Sequence, residues 1–224
     1  ELLDDFVFGL PEFFRSDLAG AELIAAPGCY VTTSSLALGP LVKAGLIEST
    51  GIVVDAASGV SGAGRPPKPN TTFCAVDEDF TAYGLLHHRH TPEIEMAIGR
   101  HAGTDVQVLF TPHLVPMRRG ILATCYATPI DAALTTDDAL SALDDAYSGE
   151  PFVSVADRIP ATGSTVGSNA VHLTARVDQR TGRVIVVSSI DNLAKGASGG
   201  AVQAANVALG LEETAGLSRI GVAP

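Results

Sequence analysis

The sequence predicts an α/β chain in which a mixed β-sheet packs against helices. Segments that alternate apolar and polar residues, as strands do, recur along the chain, and helical patterns separate several of them. The last long segment, "NLAKGASGGAVQAANVALGL", reads as a helix rich in alanine and glycine. Small residues permit close approach of backbones, so we expect this helix to lie against another element.

The first part of the chain alternates strands and helices. We predict strands at "FVFGL", "ELIAAPG" and "GIVVDAASG", and a short helix at "PEFFRSDLAGA". A second helix runs from Cys29 to about Gly45, where Gly39 and Pro40 should kink or shorten it. Residues 65–90 read mostly as loop, rich in proline and then in histidine.

The second part of the chain carries most of the predicted sheet. A helix is expected at "TPEIEMAIGRHAG", with Thr91 as its N-cap and Pro92 at its first position. Another helix is expected at "TTDDALSALDDAYSGE". The remaining strands are predicted at "DVQVLFTPHLV", "RGILATCYATPI", "PFVSVAD", "AVHLTARVD" and "RVIVVSSID".

Composition excludes several classes of partner. The chain has 224 residues, 46% of them hydrophobic, and a net charge of -11, which argues against binding nucleic acid or an acidic membrane surface. No apolar run approaches the roughly 20 residues of a membrane span, and no signal peptide opens the chain, so we expect a soluble cytoplasmic protein. Its three cysteines have no paired spacing, so we expect free thiols rather than disulfides or a zinc site.

Cys29 is the candidate nucleophile because it stands where a buried strand gives way to a helix, in "IAAPGCYVTTSSLAL". Backbone N–H groups at a helix start stabilise a thiolate and could also hold an oxyanion. Cys74 and Cys125 are expected to be inert small hydrophobic residues, which is the common role of a lone cysteine.

The histidines of "HHRHTPEIE" are candidates for acid–base chemistry with that thiol. His88 and His90 are two residues apart and point the same way on an extended segment, whereas Arg89 points the other way. A metal site and a solvated histidine-rich loop are the alternatives, and no carboxylate sits at metal-ligand spacing.

Two strand ends carry weaker signals. "ASGVSGAGR" follows a strand but lacks the glycine order of a dinucleotide fingerprint, so it fits a flexible turn as well as a binding loop. Asn192, at a strand-to-helix junction, presents its amide either to a ligand or to the last helix as a cap, a role that Asp191 could also fill.

Several of these segments together resemble the N-acetyl-gamma-glutamyl-phosphate reductase family. "APGCY", "SGVSGAGR", "AYGLLHHRHTPEIE", "FTPHLVPMRRGI", "VGSNAVHL" and "IDNLAKGASGG" occur in its order and spacing. The chain is more distantly similar to aspartate-semialdehyde dehydrogenase. Val31 and Gly200 depart from the residues usual in the family, and neither removes a group that the chemistry needs.

The resemblance implies an NADP-dependent acyl-phosphate reductase of arginine biosynthesis that works through a cysteine thioester. Cys29 would be the nucleophile, with His88 or His90 as the acid–base residue. Arg119 and Arg89 would bind substrate anions. Ser58, Gly59 and Asn192 would lie beside the nicotinamide of NADP, and no metal is implied.

The resemblance also implies a glyceraldehyde-3-phosphate-dehydrogenase-like arrangement. Residues 1–29 would end a Rossmann domain whose first part lies outside this chain, residues 30–190 would form an α+β catalytic and oligomerisation domain, and residues 191–224 would return to the Rossmann domain. We expect a homodimer or homotetramer acting on a small molecule.

Alternatives within the reductase class are aspartate-semialdehyde dehydrogenase and a reductase of carrier-linked amino-acid phosphates. A non-catalytic binding module and a cysteine hydrolase are the alternatives outside it. The hydrolase would leave "DNLAKG" after a strand without a role.

Overall fold

Strands and helices alternate along the chain in the order that the sequence predicts, except that residues 65–90, expected to be mostly loop, also contain a short helix and a short strand. The computed structural model describes residues 5–222. Its strands are β1 (Val7–Phe8), β2 (Ile24–Ala25), β3 (Ile52–Gly59), β4 (Thr81–Ala82), β5 (Val108–Val115), β6 (Ile121–Ala127), β7 (Val153–Val155), β8 (Val171–Asp178) and β9 (Arg183–Ile190). Its α-helices are α1 (Pro11–Leu18), α2 (Cys29–Lys43), α3 (Phe73–Val76), α4 (His90–Ala102), α5 (Thr136–Tyr147) and α6 (Gly199–Ala208).

Seven strands form one mixed sheet in the order β4-β5-β3-β6-β9-β8-β7, while β1 and β2 form a separate parallel pair. In the large sheet β3 runs parallel to β5 and β7 parallel to β8, and the other neighbours are antiparallel. The fold class predicted from the sequence, an α/β chain with a mixed sheet, is therefore confirmed.

Helices cover one face of this sheet. Helix α2 contacts β6 and β9, α5 contacts β8, and α4 contacts both α2 and β5. Alternation along β3 buries Val54 and Ala56 and leaves Asp55 exposed on the opposite face. That opposite face also carries two exposed apolar side chains, Leu109 and Tyr126, which pair with Val53 from either side.

Helix α2 continues through Pro40, although a kink or an early end was expected there. Proline has no N–H to give to the carbonyl four residues earlier, which belongs to Leu36. The Tyr147 hydroxyl donates to that carbonyl oxygen at 2.5 Å. A side chain from α5 thus replaces the missing helical bond.

Helix α4 begins at His90 with Arg89 as its N-cap, so the expected start, with Thr91 as the N-cap and Pro92 as the first helical residue, is wrong by two residues. Pro92 is tolerated at the third helical position because the first four N–H groups of a helix have no internal partner. The earlier start makes His90 part of the helix instead of the loop before it.

The end of the chain packs on its beginning. The expected long final helix is two elements: a π-helical turn at Ala194–Ser198, followed by α6. Helix α6 contacts α1, and the N–H of Gly20 donates to the carbonyl of Ala208 at 3.0 Å. No helix within residues 5–222 is both long and apolar enough to cross a bilayer.

Candidate active site

Cys29 is the first residue of α2, directly after the short strand β2 and the Pro27–Gly28 step. Gly28 is the N-cap, with extended backbone and no side chain to occupy the free N–H groups of the first turn. The carbonyl of Cys29 accepts a bond from the Thr33 hydroxyl at 2.8 Å. The thiol is therefore held at a fixed helix end.

The ring of His90 lies against the backbone immediately before Cys29. A Cβ placed on Gly28 would clash with the His90 ring, and Nε2 would be the nearest ring atom. His90 is 7% exposed, and its Nδ1 has no hydrogen-bond partner within residues 5–222. No bond to Nδ1 in this part of the chain fixes which ring nitrogen carries the proton.

Glu93, one turn along α4, ties the two helix starts together. Its Oε1 accepts a hydrogen bond from the N–H of Gly28 at 3.0 Å. Because His90 and Glu93 share α4, this bond fixes the distance between α4 and the start of α2. Burial raises the pKa of Glu93, and the bond from Gly28 and the charge of Arg89 oppose that effect.

His88 lies beside His90 but has a different bonding pattern. Its Nδ1 accepts a hydrogen bond from the N–H of His90 at 3.1 Å, so in the neutral ring the proton is on Nε2. The ring packs edge-on against Tyr30, Tyr83 and His90, with centroid distances of 5.7, 5.5 and 4.7 Å. His88 is thus placed as a donor.

The two histidines are held neutral. Burial lowers the pKa of His90 to about 4, with help from the nearby His88 and Arg89. Burial also lowers the pKa of His88, again with a contribution from Arg89. A neutral imidazole has one ring nitrogen free to accept a proton.

The thiol itself differs from the expectation of a resting thiolate. Burial raises the pKa of Cys29, and this outweighs the opposing effect of the N–H groups of Tyr30 and Cys29 and of the Arg89 charge. The expectation of a thiolate included the effect of the helix N–H groups but not the effect of the water that the sulfur loses on burial. The raised pKa favours the protonated thiol over the thiolate.

A cavity of about 290 Å³ opens at this thiol. It brings together four residues chosen from the sequence and one cation, Lys68, that was not. The cavity is lined by Cys29, Tyr30, Gly62, Ala63, Lys68, Asn70, Thr71, Thr81, Tyr83, His88, Arg89, His90 and Leu114. No carboxylate is among these lining residues, although the chain as a whole is acidic.

Gly196, in the π-helical turn, closes the other side of Cys29. A Cβ on Gly196 would lie 2.7 Å from the Cβ of Cys29 and 3.1 Å from the Cδ1 of Ile190. Only glycine therefore fits without movement of the nucleophile. This requirement arises from the folded contact, and the sequence pattern gave no signal for it.

Comparison with known proteins gives the family of the chain. The model of the semialdehyde dehydrogenase dimerisation domain matches residues 29–192. The chain belongs to this semialdehyde dehydrogenase family. The match begins at Cys29 and ends at Asn192, so it contains the whole sheet of seven strands.

Curated relatives give a narrower likeness, and they confirm the resemblance found in the sequence. The chain is 49% identical over 221 residues to the N-acetyl-gamma-glutamyl-phosphate reductase of Rhodopirellula baltica, covering 97% of this chain and 63% of that protein. It is 54% identical over 227 residues to the same reductase of Desulforudis audaxviator, covering 100% and 65%. The chain thus spans slightly less than two thirds of these relatives.

Solved structures show the same fold at low identity. Aspartate semialdehyde dehydrogenase II from Vibrio cholerae has a TM-score of 0.72 at 18% identity, over 91% of this chain and 68% of that one. The Francisella tularensis enzyme has a TM-score of 0.68 at 13% identity, over 86% and 68%. At such identity the likeness concerns the fold.

Arg119, a candidate for substrate binding, is placed outside the Cys29 cavity. Its guanidinium pairs with the buried carboxylate of Asp191, at 3.2 Å from Nε to Oδ1 and 2.7 Å from Nη2 to Oδ2. Asp191 also accepts from the N–H groups of Gly167, Leu193 and Ala194. Arg119 lines a separate cavity of about 460 Å³ with Arg118 and Thr162.

The candidates for the nicotinamide site are buried beneath the glycine-rich turn. Asn192 accepts from the N–H of Gly120 at 2.7 Å through Oδ1 and donates to Ser61 at 2.9 Å through Nδ2. The Ser58 hydroxyl donates to the carbonyl of Gly59 at 3.1 Å. Of this turn, Gly62 and Ala63 reach the Cys29 cavity.

Neither Cys74 nor Cys125 lines the Cys29 cavity. Cys125 is buried, but Cys74 is exposed, which corrects the expectation that it is a buried small hydrophobic residue. Within the described residues 5–222, no group of three or more His, Cys, Asp or Glu side chains is arranged to hold a metal ion.

Proposed function

We propose that the full-length protein reduces N-acetyl-gamma-glutamyl phosphate to N-acetyl-glutamate semialdehyde and releases inorganic phosphate. The observation that carries this proposal is a cavity in which a helix-end thiol meets a neutral histidine and two cations, without a carboxylate in its lining. The names of the relatives favour this acyl phosphate over aspartyl phosphate, whose reductases share the fold.

Cys29 forms the covalent intermediate. Its Sγ bonds to the γ-carbonyl carbon, the bond from that carbon to the phosphate oxygen breaks, and phosphate leaves with the bonding pair, giving a thioester. The carbonyl oxygen becomes negative in the tetrahedral transition state. The free N–H groups at the start of α2 are suitably placed to stabilise it.

His90 takes the thiol proton and His88 donates to the substrate. His90 is the better base because its Nε2 lies against Gly28, whereas His88 binds the His90 N–H through its Nδ1. When the carbon–sulfur bond breaks after reduction, His90 returns the proton to Sγ. His88 is left with an N–H at Nε2 for a phosphate or carbonyl oxygen.

Arg89 and Lys68 bind the anionic groups of the substrate. Both cations line the cavity, and neither of them forms a salt bridge with a carboxylate of the described residues. Arg119 remains a candidate for substrate binding, but its guanidinium would have to serve Asp191 at the same time.

The glycine-rich turn suits the nicotinamide end of NADPH. Gly62 and Ala63 present uncharged, small residues to the cavity beside the thiol, and a Cβ on Gly62 would lie 2.6 Å from the Ser58 hydroxyl. Ser58, Gly59 and Asn192 would hold this turn in shape. When bound, NADPH supplies the hydride for the reduction.

The full-length protein tests the proposal through the reverse reaction, with inorganic phosphate, NADP and a panel of semialdehydes. We expect turnover with N-acetyl-glutamate semialdehyde to exceed that with aspartate semialdehyde or carrier-linked substrates. Cys29→Ser should keep the fold and lose nearly all turnover, because a hydroxyl is far less ionised at neutral pH. Near-normal turnover by Cys29→Ser would refute the mechanism.

The description of the matched family supports self-association of the chain. The matched domain is described as a dimerisation domain, and the face of the sheet away from the helices exposes Leu109 and Tyr126. We propose a homodimer or homotetramer built through this sheet, active in the cytoplasm. Sedimentation showing only monomer at micromolar concentration would contradict the assembly.

A further inference from the structure

A buried ion pair outside the cavity joins the beginning of the chain to its end. Lys195 Nζ lies 2.5 Å from Glu12 Oε1, and the two side chains are 1% and 0% exposed. Lys195 Nζ also donates to Gln203 Oε1 at 2.6 Å. The pair therefore connects the π-helical turn with α1 and α6.

This pair requires an explanation beyond stability. Taking two charges out of water costs free energy that their attraction often only offsets, so apolar residues of similar volume frequently stabilise a fold as well. Lys195 also stands in a π-helical turn, a rare element that is frequently found at functional sites. A rare turn and a costly pair thus coincide at one residue.

The residue that follows Lys195 contacts the nucleophile. Gly196 lies against Cys29 so closely that a Cβ on it would be 2.7 Å from the Cys29 Cβ. The turn has the long bonds of a π-helix, from the N–H of Gly196 to the carbonyl of Asp191 at 2.9 Å and from Ser198 to Leu193 at 3.0 Å. A change in this turn therefore moves Gly196 relative to Cys29.

Gln203 adds hydrogen bonds to the connection between Lys195 and Glu12. Its Oε1 accepts from Lys195 and from Asn169, and its Nε2 donates to Glu12 at 3.0 Å and to Glu213 at 2.8 Å. Every polar atom of this amide is used. The position of the Lys195 ammonium is thus fixed by two elements at once.

We infer that Lys195 is a positioning residue, which, through its ion pair with Glu12, holds Gly196 against Cys29 and so directs the thiol toward His90. The inference rests on the proposed role of Cys29 as the nucleophile. It assigns Lys195 no contact with the substrate. Helix α1 thereby controls the geometry of a thiol in another part of the fold.

The test measures the alkylation of Cys29 by iodoacetamide as a function of pH, in full-length protein that carries Cys74→Ser to remove the exposed thiol. The double variant Glu12→Gln, Lys195→Met removes both charges and leaves no uncompensated one. We expect its alkylation rate to fall about 10- to 100-fold and its pH midpoint to move, since misplacement by about 1 Å has such effects. An unchanged pH profile in a folded double variant would overturn the inference.

Turnover separates positioning from a general loss of structure. We expect kcat to fall in the double variant with little change in KM, because substrate contacts stay in place. Glu12→Asp keeps both charges and withdraws the carboxylate by one methylene, so it should give a smaller shift of the midpoint. Where the double variant does not fold, Glu12→Asp decides, and a wild-type profile in it overturns the inference.

Gly196→Ala tests the contact directly, with Gly163→Ala as the control. A Cβ on Gly163 meets no atom within 4 Å, whereas one on Gly196 meets Cys29. We expect a displaced profile for Gly196→Ala alone, and equal profiles in both variants would overturn the inference. If Cys29→Ser retained turnover, the proposed function would fail, while the alkylation profiles would still decide the geometry.

Discussion

Gly28→Ala should disable the acid–base histidine while leaving the backbone unstrained. Gly28 has a φ of -66° and a ψ of 154°, which alanine adopts readily. The added Cβ would lie 2.5 Å from His90 Cε1, 2.8 Å from Cδ2 and closer still to Nε2, whereas ordinary contacts begin near 3.4 Å. The ring must therefore move by at least 0.9 Å, the difference between 3.4 Å and 2.5 Å.

A displacement approaching 1 Å costs about 100-fold in rate when it separates a base from its nucleophile. We expect Gly28→Ala to lower kcat/KM by about that factor, which corresponds to about 2.7 kcal/mol of transition-state stabilisation. His90 lines a cavity of about 290 Å³ that offers space for a displaced ring, so we expect the melting temperature to change little.

The assay compares Gly28→Ala with His90→Asn and with the control Gly163→Ala, each in full-length protein. We expect the loss in Gly28→Ala to approach that of His90→Asn, and the double variant to be no worse than His90→Asn alone. Gly163→Ala should retain wild-type rates. If Gly28→Ala kept its rate within about threefold of wild type, the placement of His90 as the base would be refuted.

Three further predictions concern charge. Lys68→Met should lower the rate at which anionic iodoacetate alkylates Cys29 several-fold relative to the rate with neutral iodoacetamide. The control Lys43→Met, at an exposed helix end, should leave the ratio of these two rates unchanged. The same ratio in both variants would exclude Lys68 from the anion site. Burial lowers the pKa of His90 from its ordinary 6.5 to about 4 in the fold. The folded protein therefore loses stability as the pH falls from 6.5 towards 4, by at most about 3 kcal/mol because solvent screens part of the ring. Urea unfolding at several pH values should therefore show a smaller loss for His90→Asn, and an identical loss would contradict the low pKa. Arg119→Lys should lower the melting temperature, because lysine cannot form both bonds to the buried carboxylate of Asp191. A rise in KM without a change in melting temperature would contradict this structural role and indicate that Arg119 binds substrate.

The order of elements could be predicted from the sequence because each is encoded locally. Alternating apolar residues identified β3, β5, β6, β8 and β9, and the small-residue composition marked the final helix. The errors arose where a distant residue supplies what the local pattern lacks. Helix α2 continues through Pro40 because Tyr147 bonds the free Leu36 carbonyl, and no local signal reports that bond.

The chemical residues of the site were visible in the sequence, but the packing around them was not. The sequence shows a thiol, Cys29, at a predicted helix start, and it shows His88 and His90 in a histidine-rich segment. Gly28 and Gly196 matter only because another part of the fold approaches their Cα atoms. Lys68 reaches the cavity through the path of an irregular loop, which periodicity does not predict.

Burial explains why the thiol differs most from expectation. The sequence shows the helix N–H groups that favour a thiolate. It does not show that His90 lies against Gly28 and that Gly196 lies against Cys29, and burial is the largest effect on the thiol. The same burial lowers the pKa of His90, so thiol and imidazole both rest uncharged.

A neutral resting pair has a chemical consequence. A protonated thiol is oxidised more slowly than a thiolate, so Cys29 is protected when no substrate is bound. Transfer of the proton to His90 then creates charge only as the sulfur attacks, and the N–H groups at the start of α2 stabilise the oxyanion formed in that step. The N–H groups therefore stabilise the transition state and not a resting thiolate, and stabilisation that is present only in the transition state increases the rate.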